Sequence, residues 1–309
     1  MDPRESGAAA YKRSITEPTP LDPLVAASRM RQVKTIFDRL GVVFWLGSGT
    51  CLGAVRDGDF IPWDDETDTA SVIGLHGLTE DRFDEVVSEF EAAGFYAHVG
   101  KNSRYNIMSI VKDGLRTDWT VHHIVDGAAW EFPGIRLSLG LFKDLQTVQF
   151  AGEQFQIPGL PEEYLSLKYG PNWSTPRGPG FEEDVVDNIP DGSVLSYRRK
   201  VSRMLVKWLN LNIAIGIRVF DANRSPISEA VVRIAGVDHG KTNKAGWVRL
   251  YVPDKAYYAV VVSYDQHKEV LYEEVLTPGF KYEYMPGPVV TPEQHYKAGV
   301  RAMALVVQS

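Results

Sequence analysis

Cysteine is all but missing: Cys51 is the only one in 309 residues. That excludes an intramolecular disulfide framework and any zinc site built on several thiolates, and it leaves Cys51 the ordinary job of a small buried side chain. Cationic charge is also in short supply, with 33 Lys and Arg against 40 Asp and Glu and a formal net charge of −7. Proteins grip nucleic acid by neutralising phosphates with Lys and Arg, so this balance argues against a dedicated nucleic-acid binder. Long apolar runs are lacking as well. Nowhere do ~18 uncharged apolar residues follow one another, and "MDPRESGAAAYKRSITEPTP" has charges and prolines where a signal peptide needs an apolar core. The expectation is a soluble, cytoplasmic protein. Internal repeats, a Gly-x-Ser-x-Gly elbow, a Ser-His-Asp order and Cys/His metal spacing are all absent.

What is present divides into two textures. Residues 1–20 read as a polar, loosely ordered leader. From Leu21 the chain alternates helical and strand-like stretches. "LDPLVAASRMRQVKTIFDRLG" places Val25, Met30, Val33, Ile36, Phe37 and Leu40 near helical spacing and stops at Gly41. "LTEDRFDEVVSEFEAAGF" predicts a second helix capped by Thr79, with Phe83, Val86, Val87 and Phe90 on one face. "YNIMSIVKDG" and "TDWTVHHIVDG" predict two strands turning at Asp113 and Gly114. This pattern means an α+β domain over residues 21–195. A basic, amphipathic stretch over 196–211, within "LSYRRKVSRMLVKWLNLN", follows; it reads as a linking helix, a membrane-surface helix or a wall for an anionic substrate. Beyond residue 212 the runs become short, β-branched and aromatic, with Val248, Leu250 and Val252 alternating against Arg249 and Tyr251. A small antiparallel β-sandwich over 212–309 is expected, without an evident catalytic group.

The chemistry concentrates in "FWLGSGTCLGAVRDGDFIPWDDETD", Phe44 to Asp68. Asp64, Asp65, Glu66 and Asp68 repel one another at that density, so a compensating cation is implied. In extended backbone Glu66 and Asp68 project together with Asp64 behind them, while Asp65 points away. Carboxylates at i and i+2 suit a hard divalent ion such as Mg²⁺, which commonly takes one or two of them plus substrate phosphates. A solvated acidic turn is the plainer alternative. Gly47, Ser48, Gly49 and Thr50 form a turn whose N–H groups and hydroxyls can approach phosphate, and Arg56 adds a planar fork. His122 and His123 alternate faces, so only one of them can serve the site. Trp63 can stack on a base or pack under the turn.

"GSGTCLGAVRDGDFIPWDDETD" resembles the signature of the LicD and fukutin-related family, and "LFKDLQTVQFAGEQFQIPGLPEEYLSLKYGPNW" resembles that family's closing block, in which Tyr164, Tyr169 and Trp173 match. The likeness covers about residues 25–176. It implies a nucleotidyltransferase-like mixed sheet with flanking helices, and transfer of a phosphorylated alcohol such as phosphocholine or ribitol phosphate from a CDP-linked donor to a glycan or glycolipid acceptor. It further implies a divalent ion on Glu66, Asp68 and Asp118, for which Mg²⁺ or Mn²⁺ is expected; Ser48, Gly49, Thr50, Arg56 and Asp64 are expected to bind substrate, and Asp118 or a nearby His to take the acceptor proton. Glu66 departs from the family's usual Asp, and Thr67 stands where an aliphatic residue is usual. The later β-rich segment looks like carboxypeptidase-regulatory or transthyretin-like modules. Two alternatives stay open: transfer of a nucleotide from an NTP, and a non-catalytic carbohydrate-binding adaptor.

Overall fold

A computed structural model describes residues 6–177, 182–187, 189–193, 195, 200–205, 214–287 and 304–306. The chain forms two compact units. One holds Met1–Trp130 and Leu137–Pro176, the other Glu131–Arg136 and Arg177–Ser309. Among the described residues no helix is long and apolar enough to cross a membrane.

The first unit opens with α1 (Gly7–Thr16), where a loosely ordered leader was expected. Ser6 caps it by accepting from the Ala9 N–H, and the Tyr11 ring stacks on His98 at 4.3 Å, so a short polar helix gains a tertiary anchor. In α2 (Pro23–Leu40) Asp22 accepts from the N–H groups of Leu24 and Val25, Pro23 sits where a missing N–H costs nothing, and Gly41 closes the helix in the left-handed region. Met30, Val33, Ile36 and Phe37 are buried as the spacing predicts, but Val25 is exposed and Ala26 and Arg29 turn inward instead.

The five-stranded sheet has the order β1-β2-β5-β4-β3, built from β1 (Trp45–Leu46), β2 (Glu66–Val72), β3 (Tyr96–Lys101), β4 (Tyr105–Lys112) and β5 (Leu115–His122). The central pair β2–β5 is parallel and the others antiparallel, so the sheet is mixed. α3 (Ser48–Arg56) joins β1 to the acidic segment; α4 (Glu80–Ala92) follows β2. Asp113 and Gly114 both have positive φ, 51° and 77°, which suits the tight β4–β5 turn. Thr79 occupies the N-cap position of α4 without a side-chain cap bond. Trp119 stacks on Phe83 of α4 at 5.4 Å and meets Phe37 of α2 at 5.0 Å, so one sheet face is sealed by aromatic burial. The hairpin β6 (Ala128–Glu131) and β7 (Ile135–Ser138) has its tip in the second unit. α5 (Gly140–Lys143), the hairpin β8 (Gln146–Phe150) with β9 (Glu153–Ile157), and α6 (Pro161–Tyr169) complete the first unit.

The second unit contains α7 (Glu182–Asp187) and two four-stranded sheets. One sheet orders β13 (Trp247–Leu250), β10 (Ile215–Val219), β16 (Lys281–Tyr284) and β17 (Ala304–Val306). The other orders β12 (Asp238–Lys241), β11 (Val231–Ile234), β14 (Ala256–Tyr264) and β15 (His267–Leu276). Alternate side chains are buried, as in Ile215, Ile217 and Val219 or Val232 and Ile234. The expectation of an all-antiparallel domain needs correction, because β10 and β16 run parallel. Their long separation in the chain leaves room for the crossover that a parallel pair needs. Tyr251 is buried rather than outward, since β13 ends at Leu250 and strand alternation ends with it. Of the basic segment, residues 200–205 are helical; the rest lies largely outside the described residues.

Candidate active site

Strand register builds the site. Parallel β2 and β5 place Asp68 beside Asp118 and Glu66 beside Arg116. Alternation then puts all four side chains on one face, while Thr67 and Thr117 share a hydroxyl hydrogen bond of 2.7 Å on the other. Glu66, Asp68 and Asp118 each offer a carboxylate oxygen, and these atoms lie within 4.8 Å of one another. Asp118 is buried, and its Oδ1 has no hydrogen-bond partner among the described residues. A buried carboxylate oxygen left unsatisfied is costly unless a cation completes it.

The predicted glycine turn is instead the start of α3, with Gly47 as N-cap. Residues Gly47 to Thr50 clamp Asp68 from three sides. The Gly47 N–H donates to the Asp68 carbonyl at 3.0 Å, the Gly49 N–H to Asp68 Oδ2 at 3.2 Å, and the Asp68 N–H to Thr50 Oγ1 at 2.7 Å. The helix N-terminus thus stabilises a carboxylate. Gly49 lets Asp64 approach closely: a Cβ there would stand 2.8 Å from Asp64 Oδ2, so the carboxylate would have to shift. Ser48 has a left-handed φ of 36°, a strained conformation for a non-glycine residue, and its N–H donates to the Tyr164 hydroxyl at 3.0 Å.

Arg116 is the compensating cation, and sequence reading missed it. Its guanidinium pairs with Glu66 Oε2 and lies 3.4 Å from Asp118 Oδ2 and 3.9 Å from Asp65 Oδ2. Asp65, expected to point away, approaches it because β2 begins only at Glu66 and alternation does not extend to residue 65. The signal was available: Arg116 stands two residues before Asp118, the same spacing that pairs Glu66 with Asp68. Burial pushes the Asp64 carboxyl up to about 7, aided by the charge of Asp65 and opposed by the Asp65 N–H and Arg116. Asp65 is also raised, chiefly by burial, with Arg116 opposing.

Other candidates fall elsewhere. Arg56 lies at the far end of α3, roughly 12 Å along the helix from Ser48 at 1.5 Å per residue. There it forks onto Asp57, with Nε and Nη2 contacts of 2.9 Å and 2.6 Å. His122, some 13 Å along β5 from Asp118 at strand rise, is buried with Nδ1 3.1 Å from the Trp130 carbonyl. His123 Nε2 lies 3.5 Å from Glu80 Oε2. Trp63, Tyr169 and Trp173 are half-buried, whereas Tyr164 is buried and reaches the site through its hydroxyl.

Residues 41–159 match the family model described as LicD/FKTN/FKRP, nucleotidyltransferase domain. The matched segment, under half of the chain, is similar to a LicD/FKTN/FKRP domain. It contains the whole β1–β5 sheet and all three clustered carboxylates. The chain is similar to "Ribitol 5-phosphate transferase FKRP" of Mus musculus, 29% identical over 46% of this chain and 30% of the relative. The Homo sapiens protein of that name is 28% identical over 54% of this chain and 35% of its own length. "Ribitol-5-phosphate transferase FKTN" of Homo sapiens is 25% identical over 45% of this chain and 31% of the relative. The chain therefore spans about a third of the length of these curated relatives. The solved structure of a cytoplasmic RNA terminal U-transferase covers 37% of this chain and 34% of its own at 11% identity, with a TM-score of 0.26, too loose a likeness to add weight.

Proposed function

We propose that the LicD/FKTN/FKRP-like domain transfers a phosphorylated alcohol from a CDP-linked donor to a hydroxyl of a glycan or glycolipid, using Mg²⁺ or Mn²⁺. The observation that carries this reading is the convergence of Glu66, Asp68 and Asp118 within 4.8 Å, with Asp118 Oδ1 buried and lacking a hydrogen-bond partner among the described residues. An all-oxygen set of this kind fits a hard divalent cation. When bound, such an ion supplies charge neutralisation to the diphosphate and to the oxygens that change bonding. Glu66, Asp68 and Asp118 would hold it, and the α3 N-terminus keeps Asp68 in place.

In the reaction the acceptor oxygen bonds to the phosphorus that carries the alcohol, the bridging P–O bond of the diphosphate breaks, and CMP leaves. The hydroxyl proton goes to a carboxylate of the cluster; His122 is bonded to the Trp130 carbonyl and, with His123, lies four or five residues along the chain from Asp118. The named activity of the FKRP and FKTN relatives makes ribitol 5-phosphate the first cargo to test. The second unit is read as a β-sandwich that positions the acceptor or a partner, a role its two sheets permit but do not specify. Peripheral membrane contact through the basic segment around residues 200–205 belongs to the same reading.

The test is a donor screen. The full chain is incubated with CDP-ribitol, CDP-glycerol, CDP-choline or an NTP, plus Mg²⁺ or Mn²⁺ and a glycan acceptor, and CMP and pyrophosphate are followed. Metal-dependent CMP release is expected; pyrophosphate release from an NTP with every CDP-alcohol untouched would transfer the assignment to nucleotide transfer.

A further inference from the structure

Two of the ligands that would hold the ion, Glu66 and Asp118, are already engaged by a cation. Arg116 Nη2 pairs with Glu66 Oε2, Nη1 lies 3.4 Å from Asp118 Oδ2, and Nη2 lies 3.9 Å from Asp65 Oδ2. The Arg116 side chain is only 15% exposed, so it is set into the cluster rather than waving above it. A divalent ion needs lone pairs of these same carboxylates, and a guanidinium donating to them competes for that electron density. Two cations a few ångströms apart also repel.

We propose that Arg116 is a displaceable counter-ion: it neutralises the carboxylates while the metal is away, and metal entry releases the guanidinium to grip the donor's diphosphate. This rests on the metal-dependent reading above and deepens it by naming the donor-gripping residue. Geometry supports the exchange. Arg116 and Asp118 are i and i+2 on β5, so the released fork stays on the same sheet face as the carboxylates. A guanidinium presents paired donors that match two phosphate oxygens, which an ammonium cannot do. Arg56, the fork expected to do this from sequence, is held by Asp57 at the opposite end of α3. The device also links the two ligands: a bound metal turns the guanidinium from Glu66 and Asp118 toward the anion, and a bound anion keeps that guanidinium off the metal ligands.

The probe is Mn²⁺, counted by electron paramagnetic resonance of the free ion in titrations of the full chain, with and without CDP. Four proteins are compared: the parent, Arg116→Met, Arg116→Lys and Asp118→Asn. Arg116→Met should bind Mn²⁺ alone about tenfold or more tightly than the parent, since a competing charge is gone. CDP should tighten Mn²⁺ binding in the parent more than in Arg116→Met, because only the parent couples the two through the fork. Circular dichroism checks that each protein is folded; should Arg116→Met not fold, Arg116→Lys carries the test, and its coupling to CDP should fall while its charge keeps the fold. Mn²⁺ affinity unchanged or weakened in folded Arg116→Met, or full CDP coupling in Arg116→Lys, overturns the counter-ion role. Asp118→Asn separates the two claims. If it binds Mn²⁺ as the parent does, the metal reading itself is wrong; if it loses Mn²⁺ while Arg116→Met gains nothing, the metal stands and the Arg116 proposal falls.

Discussion

Thr50 is a sharp place to test how Asp68 is held. Its hydroxyl oxygen, on a residue 2% exposed, accepts the Asp68 N–H at 2.7 Å. Thr50→Val keeps the shape and removes the acceptor, leaving a backbone N–H inside the fold without its partner. An unsatisfied buried donor costs about 1–3 kcal/mol. Taking about 2 kcal/mol, and roughly 2–4 °C per kcal/mol for a domain of this size, the melting transition of the first unit should fall by about 4–8 °C. Thr50→Ser keeps the oxygen and loses one methyl, so it should cost only about 1 kcal/mol. Calorimetry with a chelator present excludes masking by metal. Turnover should follow the same order, about tenfold lower in the Val variant and nearly unchanged in Ser, because a loosened Asp68 misplaces one ligand. Equal melting temperatures for Val and Ser would refute the view that this hydrogen bond fixes Asp68.

Three further outcomes are expected. Asp118→Asn should lower turnover by about a thousandfold or more, since metal charge stabilisation is worth several kcal/mol, without lowering the melting temperature in chelator; parallel losses of both would indicate a structural role instead. Asp64 has a folded-state pKa raised to about 7 from 3.8, so its contribution to stability is whole below about pH 4 and is lost as pH climbs through 7. In chelator, Asp64→Asn should therefore match the parent near pH 4 and exceed it by on the order of 2 kcal/mol at pH 8, after allowance for solvent screening; a pH-independent difference in urea denaturation would contradict this. Arg56→Lys should leave the donor KM within about twofold, because Arg56 is paired with Asp57 away from the carboxylates; a large rise in KM would return Arg56 to the site.

Much of the site was legible because it depends on period-2 alternation and on local signals. Asp22-Pro23 and Gly41 bracket α2, Asp113-Gly114 turns β4 into β5, and i, i+2 spacing pairs Glu66 with Asp68. The carboxylate from β5 was indicated by family likeness, but its neighbour Arg116 was not, although the same alternation places it on that face. Arg56 drew attention because it is close in sequence to the acidic run, and a helix of nine residues then carried it away. Cross-strand register is a long-range property: nothing local in "LRTDWTV" says that Arg116 will stand beside Glu66. The start of α3 was hidden for a related reason. Glycines at 47 and 49 suggest a turn, yet the close approach of Asp64 to Gly49 and the bond to Asp68 Oδ2 are tertiary contacts that favour a helix there. Helix α1 likewise depends on Tyr11 meeting His98, a partner far along the chain.

The proposed chemistry depends on Glu66, Asp68 and Asp118 forming one divalent-ion site. Anomalous scattering from a crystal of the protein soaked in Mn²⁺ tests it most directly. A peak is expected with oxygens of all three carboxylates about 2 Å away and the Arg116 guanidinium moved off Glu66. A peak elsewhere, or an empty cluster in protein that turns over a CDP-alcohol with Mn²⁺, would contradict it.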